Sequence, residues 1–137
     1  MKFKYRKTSN ISPFSKRKIL TRPIIPISLR NGEKALRYEA LIDSGADFSI
    51  FPVEIAKKLN VNIKKAKKIY FSSATGDLVK GTISRIKLDL GRGAFETHIV
   101  FADLAEQTGI LGQYGFFDKF IVKFDLNKEE IEIKERI

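Results

Sequence analysis

The sequence contains no cysteine and a single histidine, and both scarcities limit the chemistry of the chain. Without thiols, neither a disulfide framework nor a thiolate metal site can form, and a reducing compartment suits the protein. His98 lies in an alternating stretch with no acid at ligand spacing, so we interpret it as a residue on a strand face rather than a metal ligand. We therefore expect neither a metal nor another cofactor.

Long apolar runs are also missing. None approaches the roughly 20 residues that a membrane-spanning helix needs, and the apolar stretch 24–29 is too short and too interrupted by proline for the core of a signal peptide. Apolar residues nevertheless make up 43% of the 137 residues, which is enough for one domain with a hydrophobic core. We expect a soluble cytoplasmic protein with no membrane partner.

Acidic residues are almost absent from the first quarter of the chain. Residues 1–37 contain eleven lysines and arginines but only one acid, Glu33, so this segment accounts for the whole net charge of +10. We divide the chain into a basic N-terminal arm, residues 1–20, and a folded domain, residues 21–137. The basic segment has two interpretations: a solvated terminus, or a weak contact of residues 1–37 with nucleic acid or another polyanion.

Short strands dominate the first half of the domain. Residues 1–20 show no clean period and predict irregular backbone. The segments 24–30 and 35–42 predict a hairpin, because Asn31-Gly32 between them accepts positive φ at low cost. The segment 51–61 then predicts a helix of about two turns, with its apolar residues on one face.

The second half continues with strands. A second hairpin is predicted with its tip near Thr75-Gly76-Asp77, and residues 93–101 alternate as a further strand. A strand leading into Ile110-Leu111 is followed by a predicted short helix, and then by a last hairpin with Asn127 near its turn. Short strands at close spacing with one or two brief helices indicate an all-β fold, a closed barrel.

The triplet Asp43-Ser44-Gly45 is the most informative local feature. It follows an apolar stretch that predicts a buried strand, and a buried carboxylate is costly to keep there without a purpose. Taken alone the triplet is weak evidence, because it is good turn chemistry and occurs by chance in on the order of one chain in fifteen of this length.

Three elements around the triplet carry a family resemblance. "ALIDSGADFS" resembles the active-site motif of retropepsin-like aspartic proteases, "GILG" resembles the apolar-apolar-Gly element that follows it in that family, and "SSATGDLVKG" between them lies where the family has its flap hairpin. The resemblance covers roughly residues 24–133. It implies a retropepsin-like closed barrel with a flap hairpin and one or two short helices.

The resemblance also implies a catalytic role for Asp43. Two carboxylates about 3 Å apart cannot both ionise, so they share one proton and can both activate a water and protonate the substrate carbonyl. The chain has one Asp-Ser-Gly, and no other aspartate is followed by Ser/Thr-Gly. The implied site is therefore shared by a homodimer, with one Asp43 from each chain acting on a polypeptide substrate.

The residues after Asp43 have implied supporting roles. Ser44 offers a hydroxyl that fixes the geometry of the carboxylate pair, Gly45 permits close backbone approach, and Ala46 is small enough to leave space for substrate. Asp47 resembles the acid that holds the substrate main chain, although an acid that stabilises the next helical turn is an equal interpretation.

Two further groups complete the predicted site. The flap residues, which would hydrogen-bond an extended peptide by strand addition, are Ala74, Thr75, Gly76 and Asp77. Ile110, Leu111 and Gly112 would pack behind Asp43 as pocket walls. An ordinary surface hairpin and ordinary core packing are the respective alternatives.

Other functions remain open at this point. The chain could be a catalytically idle retropepsin-like fold that serves as a binding or dimerisation module, or a polyanion-binding protein that acts through its basic arm. The resemblance also suggests Ile131, Ile133 and Ile137 near the C-terminus as part of the dimer interface.

Overall fold

The computed structural model describes residues 1–9, 19–73 and 75–136. Strands and one helix follow in this order: β1 (Lys2–Lys4), β2 (Arg6–Thr8), β3 (Leu20–Arg22), β4 (Ile24–Asn31), β5 (Lys34–Ile42), β6 (Ile50–Pro52), α1 (Val53–Lys58), β7 (Lys67–Ser72), β8 (Leu78–Asp89), β9 (Ala94–Ala102), β10 (Gly109–Leu111), β11 (Phe120–Asp125) and β12 (Glu130–Glu135). The predicted all-β fold is confirmed.

The main sheet closes on itself. Its strand order is β4-β5-β10-β6-β9-β8-β7, and β4 also pairs with β8 through Ser28–Arg30 and Lys87–Asp89. Six strands therefore form a ring, and β7 extends from β8 as the outer strand of a hairpin. Closure protects the backbone groups of β4 and β8 that would otherwise be left at open edges.

Apolar side chains from most strands fill the inside of this ring. The fully buried core includes Ile25, Leu29, Phe51, Leu88 and Leu111. Their alternation with exposed residues along β4 and β8 is the period-2 pattern that a one-sided sheet requires.

The predicted hairpins and the first helix are present. The turn between β4 and β5 lies at Gly32-Glu33, one residue later than expected, because Asn31 still pairs with Lys34 while Gly32 adopts a φ of +58°. Helix α1 is shorter than the predicted segment 51–61, because Phe51 and Pro52 belong to β6, and it buries Ile55 and Ala56. No helix in the described part of the chain is long and apolar enough to cross a membrane.

The second predicted helix, after Ile110-Leu111, is wrong. Residues 113–119 form successive turns instead. The N–H groups of Phe117 and Asp118 reach five residues back, to Gly112 and Gln113, and Gly115 adopts a φ of +98°. A positive φ interrupts the repeating helical hydrogen bonds, so the apolar spacing here produces a compact turn that buries Phe116.

The N-terminal residues also differ from the expected irregular backbone. Strand β1 pairs with β12, and β2 pairs with β3. The ammonium group of Met1 donates a hydrogen bond to the carbonyl of Ile133 at 2.8 Å, and Phe3 packs against the core. Three-residue strands are too short to show a period in the sequence. The boundary placed at residue 20 stays a prediction, but β1 pairs with β12 beyond it, and β2 pairs with β3, which spans it.

The basic side chains of this segment are partly neutralised by acids. Lys2 pairs with Glu130 at 3.6 Å, Lys7 pairs with Glu129 at 3.8 Å, and Arg6 pairs with Glu39. These are exposed pairs that contribute little to stability, but they reduce the positive potential that a polyanion would meet.

The suggested interface at β12 does not fit the structure. Ile131 and Ile133 are buried in the core of the same chain, and β12 lies between β1 and β11 with both edges paired. These side chains and edges are not available to a second chain in this arrangement. Ile137 lies outside the described residues.

Candidate active site

Strand β5 delivers Asp43 to the end of the sheet. Its carboxylate is half-buried, and Oδ1 accepts a hydrogen bond from the N–H of Gly45 at 3.0 Å. The N–H of Asp43 donates to the carbonyl of Leu111 at 2.9 Å. These two bonds fix the backbone at Asp43 and orient one carboxylate oxygen, which leaves the other oxygen for another partner.

Strand β10 explains how this position is held. It pairs in parallel with β5 and antiparallel with β6, so it lies between the strands before and after the Asp43 loop. The loop 43–49 therefore crosses the segment that follows β10. Gly112 lies at the crossing: a Cβ there would overlap the carbonyl oxygen of Phe48 and lie 2.7 Å from that of Ala46. Only glycine permits this approach without displacing backbone.

A buried hydroxyl joins the two segments. Ser49 is 1% exposed, and its Oγ accepts a hydrogen bond from the N–H of Gly112 at 3.1 Å while it donates to the carbonyl of Tyr114 at 3.0 Å. The side-chain amide of Gln113 donates to the carbonyl of Ser44 at 2.7 Å. The segment 111–114 thus supports the Asp43 loop through several hydrogen bonds.

Asp43 opens into a cleft of about 520 Å³. Its lining joins the sheet end to the β7–β8 hairpin and to the loop before β10. The lining residues are Asp43, Gly45, Ala46, Asp47, Phe48, Ile50, Phe71, Ser72, Ser73, Asp77, Val79, Asp103, Leu104, Ala105 and Ile110. Six of the residues predicted from the sequence are among them: Asp43, Gly45, Ala46, Asp47, Asp77 and Ile110.

The remaining predicted residues that the structure describes lie around the cleft without lining it. Ser44 is exposed, and Leu111 and Gly112 are buried behind Asp43. Thr75 and Gly76 form the tip of the β7–β8 hairpin, and Ala74 lies outside the described residues.

The hairpin tip is held by its own polar groups. Ser73 and Thr75 share a hydrogen bond of 2.8 Å between their hydroxyls, and Thr75 donates to the carboxylate of Asp77 at 3.1 Å. Gly76 adopts a φ of +86°, which suits the reversal of the chain. Ser73 and Asp77 also line the cleft.

Sequence reasoning missed most of the apolar lining. Phe48, Phe71 and Leu104 come from three separate segments. Phe48 lies within the motif around Asp43 but has no role predicted for it, and the other two belong to no motif. Phe48 and Phe71 stack edge to face with 6.0 Å between ring centroids. A partial signal existed for Phe71, which alternates with polar residues on the predicted hairpin. Leu104 lies in a loop, where no period reveals which side chain turns inward.

The described lining carries four carboxylates, on Asp43, Asp47, Asp77 and Asp103, and no lysine or arginine. The cleft is therefore locally acidic within a chain of net charge +10. Within residues 1–9, 19–73 and 75–136, no group of three or more His, Cys, Asp or Glu side chains could hold a metal ion.

Comparisons with known proteins agree with the fold. A family model described as aspartyl protease matches residues 25–114. The fold is similar to a retropepsin-like aspartic protease from Rickettsia conorii, with a TM-score of 0.55 and 20% identity over 81% of this chain and 89% of that one. It is also similar to the EIAV protease, solved with an inhibitor, with a TM-score of 0.53 and 19% identity over 67% of this chain and 82% of that one. No curated protein sequence matches the chain.

Proposed function

Because the chain belongs to the aspartyl protease family, we propose that it is an endopeptidase whose active site is formed by Asp43 of two identical chains. The observation that carries the proposal is the position of Asp43. Its carboxylate lies at the sheet end, receives the Gly45 N–H, and faces a cleft lined by apolar side chains. The predicted site residues enter the proposal in the roles given above.

The proposed chemistry needs two carboxylates that share one proton. The ionised member takes a proton from water as the water attacks the peptide carbonyl, and the protonated member donates to the carbonyl oxygen. Collapse of the tetrahedral intermediate breaks the C–N bond, and the leaving amine takes a proton from the pair. The products are a free carboxyl and a free amine, and no covalent enzyme intermediate forms.

Dimerisation follows from the number of motifs. One chain supplies one Asp-Ser-Gly, so a monomer holds half of the pair. A two-fold axis between the chains would bring the two Asp43 carboxylates together, because an isologous interface places identical residues opposite each other. Asp77 and the hairpin tip would then cover an extended peptide from each side.

The direct test is cleavage of an unfolded protein by the purified chain, with and without a pepstatin-type inhibitor. Asp43→Asn keeps the shape of the side chain but cannot take up or share the proton, so we expect cleavage to vanish while the fold persists. Glu33→Gln is the matched control, since it removes an exposed carboxylate in the β4–β5 turn and should cleave normally. Cleavage by Asp43→Asn at the wild-type rate would falsify the role of Asp43.

Dilution and mixing test the shared site. Specific activity should fall below the dimer dissociation constant, because active sites are lost by mass action. Excess Asp43→Asn mixed with wild type should suppress activity further, since mixed dimers carry one competent carboxylate. Sedimentation over the same concentrations gives the control. A fully active monomer would contradict the shared site. A stable dimer that binds peptides without cleaving them would favour the idle module.

Polyanion binding remains a separate proposal for residues 1–37. Their high positive charge supports it, although Lys2, Arg6 and Lys7 are already paired with acids. Binding to a DNA or RNA oligomer should weaken linearly in log affinity as log salt rises, if several phosphates are contacted. Binding that is absent at low salt would exclude this function. The division at residue 20 and a cytoplasmic location stay predictions.

A further inference from the structure

A second groove adjoins the cleft on the far side of Phe48. It has a volume of about 350 Å³ and is lined by Phe48, Lys67, Ile83, His98, Val100 and Tyr114. Phe48 lines both spaces, so the groove continues the apolar wall of the cleft. We call it the Tyr114 groove. We propose that it is a distal subsite, which binds a large apolar side chain of the same polypeptide whose scissile bond lies at Asp43.

The spacing of three rings matches an extended peptide. Phe71, in the cleft, lies 6.0 Å from Phe48 between centroids, and Phe48 lies 5.9 Å from Tyr114. Side chains on the same side of an extended chain repeat every two residues, or about 6.6 Å. The two ring separations are close to this repeat, so an extended peptide that leaves the cleft past Phe48 could present alternate side chains to successive rings.

The aromatic wall is built on fixed backbone. Phe48 and Tyr114 form a parallel β-bridge, and the N–H of Tyr114 donates to the carbonyl of Asp47 at 2.8 Å. The buried Ser49 holds the carbonyl of Tyr114 through both its N–H and its hydroxyl. A rigid aromatic surface loses little entropy on binding, so its contact area contributes more fully to affinity.

Tyr114 contributes to its own fold mainly through its backbone. Its side chain is among the most exposed large apolar groups, at 64%, and its structural hydrogen bonds come from its backbone. The polar side-chain groups of the groove are on Lys67, His98 and the hydroxyl of Tyr114, and the remaining lining side chains are hydrocarbon. This chemistry favours Phe, Leu or Met in the distal position over a charged side chain, since burying an unpaired charge is costly.

The inference rests on the proposed function and extends it. If the active enzyme is a two-fold dimer, each chain contributes one Tyr114 groove, so that grooves flank the shared cleft at equivalent positions. A substrate with apolar side chains several residues from the scissile bond would then be preferred over a short peptide with the same central sequence.

The test uses fluorogenic peptides with one fixed, cleavable centre. One series carries Phe, and the matched series carries Ser, at each position from three to six residues on either side of the scissile bond. For wild type we expect Phe to raise kcat/KM about tenfold at one distal position or at a pair of distal positions. The gain should lie mainly in KM, because remote contacts bind ground state and transition state alike.

Three variants locate the effect. Tyr114→Ser should abolish the gain, read as the ratio of kcat/KM between the Phe and Ser series of the same variant, and Tyr114→Phe should keep it. Tyr70→Ser is the matched control, because Tyr70 is 61% exposed on β7 and lines neither space. Thermal unfolding of each variant checks that the fold is retained.

Several outcomes would overturn the inference. One is a wild type that cleaves the short peptide but gains nothing from any distal Phe, which leaves the proposed function standing. Another is a Tyr114→Ser dimer that dissociates at a higher protein concentration than the wild-type dimer, which would make the groove a dimer contact. If wild type cleaves no peptide, the proposed function fails. The groove is then tested separately by fluorescence anisotropy, which measures the binding of the labelled peptides to Asp43→Asn. Equal affinity for the Phe and Ser series would reject the groove as a binding site.

Discussion

Replacing Ser49 with alanine removes the hydroxyl that joins the Asp43 loop to the segment after β10. The N–H of Gly112 then loses its acceptor, whereas the carbonyl of Tyr114 keeps a hydrogen bond from the backbone N–H of residue 49. A buried donor without a partner costs about 1–3 kcal/mol. We expect Ser49→Ala to lower the free energy of unfolding by that amount. For a chain of this size, this lowers the midpoint of thermal unfolding by about 4–10 °C.

The same change should reduce activity beyond its effect on folding. Gly112 follows Leu111, whose carbonyl accepts the N–H of Asp43. Relaxation around Gly112 therefore displaces the carboxylate, and small displacements of a reacting group are costly, reaching about 100-fold for 1 Å. We expect kcat/KM for peptide cleavage to fall at least about tenfold at a temperature where the variant remains fully folded.

Ser84→Ala is the matched control. The hydroxyl of Ser84 is also buried, on β8, but it has no hydrogen-bond partner among the described residues. Its removal deletes an unsatisfied polar atom, so stability should stay equal or rise. Both variants are compared by urea and thermal unfolding of the same preparation. Equal losses of stability in the two variants would refute the reasoning, because they would show that the Ser49 hydrogen bonds contribute nothing.

Three further predictions concern pH and the N-terminal strand. If the proposed proton-sharing pair of carboxylates is the catalyst, activity should show a bell-shaped pH profile, and a rate that keeps rising into alkaline pH would point to another mechanism. Phe3→Ser should lower the free energy of unfolding by about 2 kcal/mol, whereas Lys4→Ser on the exposed face of β1 should be neutral; equal urea midpoints would show that β1 does not pack on the core. Burial, and then a nearby carboxylate, raise the pKa of Tyr38, so its contribution to stability is complete below the ordinary tyrosine pKa of about 10 and is lost as pH rises above it. Denaturant unfolding of wild type and Tyr38→Phe at pH 8 and pH 10.5 checks this, and a difference between them that is independent of pH would contradict it.

The hairpins could be predicted because their signals are local. Asn31-Gly32 marks the first reversal. Alternation of apolar and polar residues marks β8 and β9, which follow the second reversal. The turn lies one residue later than predicted, because Asn31 still pairs with Lys34. Composition alone does not decide between these neighbouring turn positions.

The helix predicted after Ile110-Leu111 is wrong because tertiary contacts, rather than local signals, decide the structure of residues 113–119. Its aromatic spacing fits a helical face, but the segment must also cross the Asp43 loop and hold Ser49 and Phe48. These tertiary contacts override the local pattern. The sequence does not predict strand β1, because three residues show no measurable period and its partner β12 is far away in the sequence.

The site was predicted in part. Asp43 and its immediate neighbours belong to a contiguous motif, so a resemblance could identify them. The apolar lining could not be identified, because Phe48, Phe71 and Leu104 meet only when three separate segments fold together. For the same reason, the sequence provided no indication of the Tyr114 groove, which depends on the β-bridge between Phe48 and Tyr114.

Strand β10 lies far behind Asp43 in the sequence, and this separation has a consequence during synthesis. Asp43 depends on a carbonyl of β10, and Ser44 and Gln113, which are joined by a hydrogen bond, lie 69 positions apart. A nascent chain that has exposed only the first half of the sequence holds the acid but not the strand that orients it. Pairings of such long sequence separation form slowly and only after the intervening chain is available. Asp43 and Ser44 therefore stay without these hydrogen-bond partners until the segment 111–114 has also left the ribosome.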